Sequence, residues 1–144
     1  MHEVKETIFI NRLPEEVHLF LMDTDNALLW QSNLVEYELL SEDYRKGSMF
    51  RGVNKVAGRK IKWEAEVAEH ELGAHALMRS TEAPMPFELE YVFAAIDDGT
   101  EMTYHMTVKE FGGFFGKLAD PLVVRLYQKD VRSNLEKLKD LLEA

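Results

Sequence analysis

His70 and His75 flank a turn predicted at Glu71 to Ala74, with Glu66 and Glu69 close by in the chain. Two imidazoles facing each other across a hairpin beside carboxylates are the ingredients of a divalent-metal site. Strand alternation, however, puts both histidines on the wet face, where paired imidazoles are ordinarily solvated, so the expectation is that no metal is held. His2, His18 and His105 stand isolated in the sequence. There is no cysteine, which removes disulfides, thiolate nucleophiles and cysteine-ligated zinc or iron–sulfur centres. No Gly-x-Ser-x-Gly elbow and no recognisable Ser/His/Asp spacing offers a hydroxyl nucleophile. Phe111-Gly112-Gly113-Phe114-Phe115-Gly116 lacks the lysine-serine/threonine ending of a phosphate loop and reads as a flexible apolar loop.

What remains is neutral polar chemistry in phase with apolar faces. Ser80 follows Ala76 and Met78, Asn54 lies in the strand Ser48 to Val56, and Asn134 sits three residues from Val131 and four from Leu138. Tyr91 and Tyr104 add phenols. A buried hydroxyl or amide must find a partner, and a ligand can supply one.

Composition narrows the partners. With 17 basic and 26 acidic residues the 144-residue chain carries a net charge of −9, which argues against a nucleic-acid or anionic-membrane binder. The longest apolar runs, such as Leu19 to Met22 and Val92 to Ile96, fall far short of the roughly 20 residues that span a bilayer. The start, Met1-His2-Glu3-Val4-Lys5-Glu6, has no basic-then-apolar signal layout. One cytoplasmic domain over residues 1–144, without a transmembrane segment, is expected.

The elements that must position these groups follow from periodicity. Glu3 to Arg12 reads as a strand with Val4, Glu6, Ile8 and Ile10 on one side. Leu13-Pro14-Glu15-Glu16 starts a helix through Val17, Phe20 and Leu21, and Asp25 is the predicted cap of a second, Ala27 to Trp30. From Leu34 to Phe111 the period becomes two, and turn residues delimit six strands of an antiparallel meander. Ile61, Trp63, Ala65 and Val67, then Phe87, Leu89, Tyr91 and Phe93, then Met102, Tyr104, Met106 and Val108 form the dry face. Asp120 as cap and Pro121 open a long amphipathic helix carrying Val124, Tyr127, Val131, Leu135, Leu138 and Leu142. The basic stripe Arg125, Lys129, Arg132 on that helix reads as a solvated face.

Residues as well as order carry a family resemblance. The opening Ile8-Phe9-Ile10-Asn11-Arg12-Leu13-Pro14-Glu15-Glu16-Val17, Trp30, the stretches Gly47 to Phe50 and Gly58 to Val67, Phe87 to Phe93, Asp98-Gly99-Thr100 and the closing Leu135 to Glu143 together resemble the START-like (SRPBCC) superfamily, in its polyketide cyclase/dehydrase branch. One departure is local: family members often show a proline shortly after the tryptophan, whereas Gln31-Ser32-Asn33 follows here. The resemblance implies an α+β helix-grip (pollen-allergen-like) fold of order β-α-α-β6-α, a seven-stranded curved antiparallel sheet wrapped around the C-terminal helix. It further implies an apolar cavity between sheet and helix that holds a lipid, polyketide, quinone or similar small hydrophobic molecule, with no cofactor. Trp30, Asn54, Trp63, Met78, Ser80, Tyr91, Phe93, Tyr104, Met106, Tyr127, Val131, Asn134 and Leu135 are the candidate ligand-binding residues, with Phe111 and Phe114 in a loop at the cavity mouth that is either a gate or a packed plug. Binding without chemistry is the leading expectation. A polyketide cyclase/dehydrase or aromatase using Tyr91, Tyr104, Arg79 or Asn54 as acid or base, and a module with a protein partner, are the alternatives.

Overall fold

The computed structural model describes residues 1–144. In chain order it contains β1 (His2–Ile10), α1 (Pro14–Met22), a 3-10 turn (Thr24–Asn26), α2 (Ala27–Trp30), β2 (Leu34–Leu39), β3 (Met49–Val56), β4 (Arg59–Glu71), β5 (His75–Glu82), β6 (Phe87–Ile96), β7 (Gly99–Val108) and α3 (Asp120–Glu143). The seven strands form one sheet of order β1-β7-β6-β5-β4-β3-β2, every neighbouring pair antiparallel. Its concave face grips α3, the architecture that the strand spacing and the resemblance led us to expect.

Two helix starts differ from expectation. The carboxylate that closes the turn before α2 is Asp23, which accepts from the Asp25 N–H at 3.0 Å, so Asp25 lies inside the turn instead of capping it. Ala119 is the cap of α3, and Asp120 occupies its first turn with Pro121. The Asp120 carboxylate is thereby free to bond His2 Nε2 at 2.9 Å.

The gripped face divides into two halves. Toward one end Ile10, Trp30, Tyr91, Phe93, Met102, Val131, Leu135 and Leu138 interlock into the main core, closed over by α1 and α2. Toward the other, Val56, Met85, Phe111, Phe115 and Val123 form a smaller cluster beneath the β3–β4 and β5–β6 turns and the loop before α3. β6 gives Phe93 to the first half and Phe87 to the cavity wall of the second, and α3 gives Leu135 to one and Val123 to the other, while Phe50, Ala65, Val67 and Met78 form a third cluster on β3 to β5. Polar pins hold α3 against the edge strand β1. Arg132 and Gln128 both donate to Glu6 Oε1, at 2.8 and 3.0 Å, and Lys139 donates to the Phe9 carbonyl at 2.6 Å. Arg132 is therefore a bonded member of the stripe expected to be solvated.

The β4–β5 pairing contains the main departure from simple alternation. Val67 opposes Met78 but Glu69 opposes Leu77, so Ala68 is an extra residue, a bulge that reverses the phase of everything after it. His70 accordingly turns inward, opposite buried Ala76, instead of lying on the wet face with His75.

Candidate functional site

Between the cluster at the open end of the trough and α3 lies a cavity of about 120 Å³ lined by 18 residues, 16 of them hydrophobic. The β3–β4 tip supplies Asn54, Val56, Ile61 and Trp63, and the middle of the sheet supplies Met78, Phe87, Leu89, Tyr104, Met106 and Val108. Val4 on β1 and Gln31 after α2 also reach it. Met85, Phe111, Phe115, Val123, Val124 and Tyr127 complete the wall.

Trp63 is placed by a glycine. Gly52 stands directly opposite it on β3, and a Cβ there would come within 2.4 Å of the indole ring, so only a bare backbone lets the ring lie flat across the strand. The indole Nε1 then donates to Asn54 Oδ1 at 2.7 Å, which fixes the amide and leaves its Nδ2 without a partner in the protein. Tyr104 and Tyr127 meet hydroxyl to hydroxyl at 2.5 Å across the cavity. One phenol donates to the other, and the accepting phenol keeps a proton that no protein group takes up. Burial raises both above the ordinary phenol range, Tyr127 to about 12, so at neutral pH they remain protonated donors and cannot act as bases.

Of the candidates named from the sequence, Asn54, Trp63, Met78, Tyr104, Met106, Phe111 and Tyr127 line this cavity. The others do not. Trp30, Tyr91, Phe93, Val131 and Leu135 share the same face but sit in the packed half, where they fill the main core. Ser80 accepts the Phe87 N–H at 2.8 Å in the β5–β6 connection and is not part of the cavity wall. Asn134 clamps α3 to the turn after α2, accepting from the Ser32 N–H and Oγ at 3.1 and 2.9 Å and donating to Asn33 Oδ1 at 3.0 Å. A proline at position 32 would lack that N–H, which gives the departure at Gln31-Ser32-Asn33 a structural use. Phe114 packs edge-on against Phe115, ring centroids 5.1 Å apart, but Phe115, not Phe114, reaches the cavity. Arg79 points outward to Glu88.

Sequence reasoning missed Phe115 and Met85, whose loops carry no periodicity. Ile61 was readable as inward-facing but not as cavity wall, and Val56, in a strand whose alternation is weak, was not readable as either.

The histidines separate. His75 Nε2 lies 2.8 Å from Glu90 on the outside of the sheet, so it shares no site with inward-facing His70. His18, only 1% exposed, stacks on Phe93 with ring centroids 4.5 Å apart and meets the His70 ring edge-on at 4.9 Å. Its Nδ1 accepts the Gly73 N–H at 2.9 Å, tying the β4–β5 turn to α1, and the Nε2 atoms of His18 and His70 are both buried without partners. Desolvation, reinforced by the neighbouring imidazoles of His70 and His75, lowers His18 from 6.5 to about 4. His18 is thus a neutral structural residue outside the cavity.

A wider groove on the outer side of β2 to β4 is open to solvent and rimmed by Glu36, Glu38, Arg51, Lys62, Glu64 and Glu82. Its charges suit water better than an apolar molecule. No helix is long and apolar enough to cross a membrane.

Comparison with known proteins agrees with this geometry. A Thermus thermophilus protein, TTHA0849, superposes with a TM-score of 0.82 at 24% identity, covering 99% of this chain and 97% of its own. A START superfamily protein from Mycobacterium smegmatis gives 0.78 at 13% identity, with 99% and 98% covered. The Zhui aromatase/cyclase of a Streptomyces species gives 0.77 at 17% identity, with 99% and 93% covered. At these identities the likeness is one of fold. No curated protein matches by sequence. The family described as polyketide cyclase / dehydrase and lipid transport matches residues 1–143. A sheet gripping a C-terminal helix over an apolar cavity, together with a family match along nearly the whole chain, makes this protein a member of the polyketide cyclase / dehydrase and lipid transport family with a START-like helix-grip fold.

Proposed function

We propose that the protein holds a small, mainly apolar molecule in the cavity between the sheet and the start of α3. The observation that carries this reading is a wall of 16 hydrophobic residues among 18, interrupted only by groups that can donate a hydrogen bond to a ligand oxygen. The amides of Gln31 and Asn54 and the free proton of the Tyr104–Tyr127 pair are those groups. The lining contains no carboxylate, imidazole or cation, so it supports holding and orienting a ligand over acid–base chemistry on it.

Size adds a constraint. A void near 120 Å³ suits one ring, since a comparable apolar cavity of about 150 Å³ accommodates benzene. A ligand of about 20 heavy atoms therefore needs the wall to move outward, and the Phe111 to Gly116 loop is the segment built to do so. Gly112, Gly113 and Gly116 all adopt positive φ, and the loop's backbone bonds are local turns without strand partners.

At about 0.3 kcal/mol per heavy atom such a ligand gains about 6 kcal/mol, a dissociation constant of tens of micromolar. Titration with 1-anilinonaphthalene-8-sulfonate, followed by competition with long-chain alcohols, flavonoids and quinones, is expected to give a saturable, displaceable signal from the native protein. A signal that neither saturates nor competes contradicts the reading.

A further inference from the structure

We infer that the ligand is an anionic amphiphile whose charged head is held at the cavity mouth by Arg59, a conclusion that rests on the apolar-ligand reading above and adds the ligand's charge to it. The first ground is the distribution of charge in an acidic protein. Between Arg51 and Trp63 the chain carries five basic residues and no acidic one, although acidic residues outnumber basic ones 26 to 17 overall. Of these five, only Arg51 has a carboxylate partner, Glu38, and Lys55, Arg59, Lys60 and Lys62 make no ion pair within the protein. Lys55 and Lys60 stand directly opposite each other across the hairpin, an arrangement that opposes folding unless an anion relieves it.

The second ground is direction. Ala57 and Gly58, both at positive φ, make a two-residue turn that sets Arg59 opposite Val56. Cross-strand partners share a face, and Val56 lines the cavity, so Arg59 continues the cavity wall outward to its exposed rim. Its guanidinium lies across the mouth toward the loop before α3, near enough that a Cβ on Gly116 would be 3.1 Å away. It makes no hydrogen bond to any other protein group, so its donors are available. Lys55, Lys60 and Lys62 alternate onto the outer face and add only their field. The acids at this end do not compete for Arg59: Glu110 bonds the chain's amino terminus and His2, and Asp120 bonds His2 and the Phe111 N–H.

The third ground is exclusion. A wall of apolar side chains, two amides and two protonated phenols cannot solvate a charge, so any charged group on the ligand must remain at the mouth. There Arg59 carries a positive charge that no carboxylate of the protein pairs with. A chain or ring system in the cavity with a carboxylate, sulfate or phosphate at Arg59 satisfies both requirements, and an ammonium head does not.

Calorimetric titration of the intact protein with dodecanoate, dodecanol and dodecyltrimethylammonium, each below its micellar concentration, separates the possibilities. Dodecanoate is expected to bind about tenfold more tightly than dodecanol, with the ammonium weakest and the carboxylate advantage shrinking as salt is added. Arg59→Gln should abolish that advantage while leaving dodecanol affinity within about twofold, and Lys60→Gln, on the outer face, should preserve most of it. Equal binding of carboxylate and alcohol, an advantage that survives Arg59→Gln, or an equal loss in Lys60→Gln overturns the role of Arg59 while the apolar cavity stands. Failure of all three amphiphiles to bind overturns the apolar-ligand reading and this inference together.

Discussion

Acidification from pH 7.5 to pH 5 is expected to cost the fold about 2 kcal/mol through His18 alone, rising to about 3 kcal/mol near pH 4. The folded protein holds this imidazole at about 4, against 6.5 when exposed, so between those values the unfolded chain binds a proton that the folded one refuses. Stability is therefore complete above about pH 6.5 and is lost as the pH falls toward 4. The structural cause is specific. A protonated ring cannot accept the Gly73 N–H, and its charge would sit against Phe93 beside His70 of β4 and near His75 of β5, with no carboxylate paired to it. His70 is lowered by burial as well and acts in the same direction. Asp120 and Glu143, stabilised as carboxylates by their hydrogen bonds, lose their contributions only at lower pH, and Asp130, raised by burial, opposes the trend as it takes up its proton. Urea unfolding between pH 7.5 and pH 5 should show the loss in the native protein and a flatter profile in His18→Gln, whose amide oxygen can accept the same N–H, and the difference between the two isolates His18. Equal stability at pH 7.5 and pH 5 would falsify the assignment.

Two neighbouring phenylalanines should respond very differently to truncation. Phe115 is 5% exposed and packs against Phe111 with ring centroids 5.1 Å apart, so Phe115→Ala is expected to cost about 3 kcal/mol, the lower end for a buried phenylalanine because one side already faces a void. Phe114 is half-buried and outside the cavity, and Phe114→Ala should cost about 1 kcal/mol. Phe115→Leu keeps most of the packing and guards against a variant that does not fold. Hydrogen exchange supplies the dynamic half of the test: residues 111–117 should exchange faster than the central strands in the free protein and slow when a long-chain alcohol is bound. Equal costs at the two positions, or a loop already as protected as β6 and β7, would make the loop a fixed plug.

Strand periodicity told which side of each strand is dry but not how far along the trough a residue lies. Tyr91 and Tyr104 are equivalent in phase and stand directly opposite each other where the two halves meet; both join the packed core that α1 and α2 close over, and only Tyr104 also reaches the cavity. The same limit misplaced Phe93, Val131 and Leu135. Trp30 was misassigned for another reason: a large aromatic ring serves a core as readily as a binding site, and nothing local distinguishes the two. His70 was hidden by the extra residue Ala68, since one bulge inverts the face of every later side chain and leaves no mark in composition. Asn134 was correctly singled out as a polar residue on an apolar face. Its partners Ser32 and Asn33, about a hundred residues away in the chain, explain it without a ligand.

The seven methionines offer the most direct test that the cavity is the binding site, because only Met78, Met85 and Met106 line it while Met1, Met22, Met49 and Met102 do not. In a protein labelled with 13C at the methionine methyls, titration with dodecanol should move the Met78, Met85 and Met106 resonances along one saturable curve and leave the other four nearly unchanged. Saturable shifts confined to Met1, Met22 or Met49, or no saturable shift at Met78, Met85 and Met106, would contradict the account.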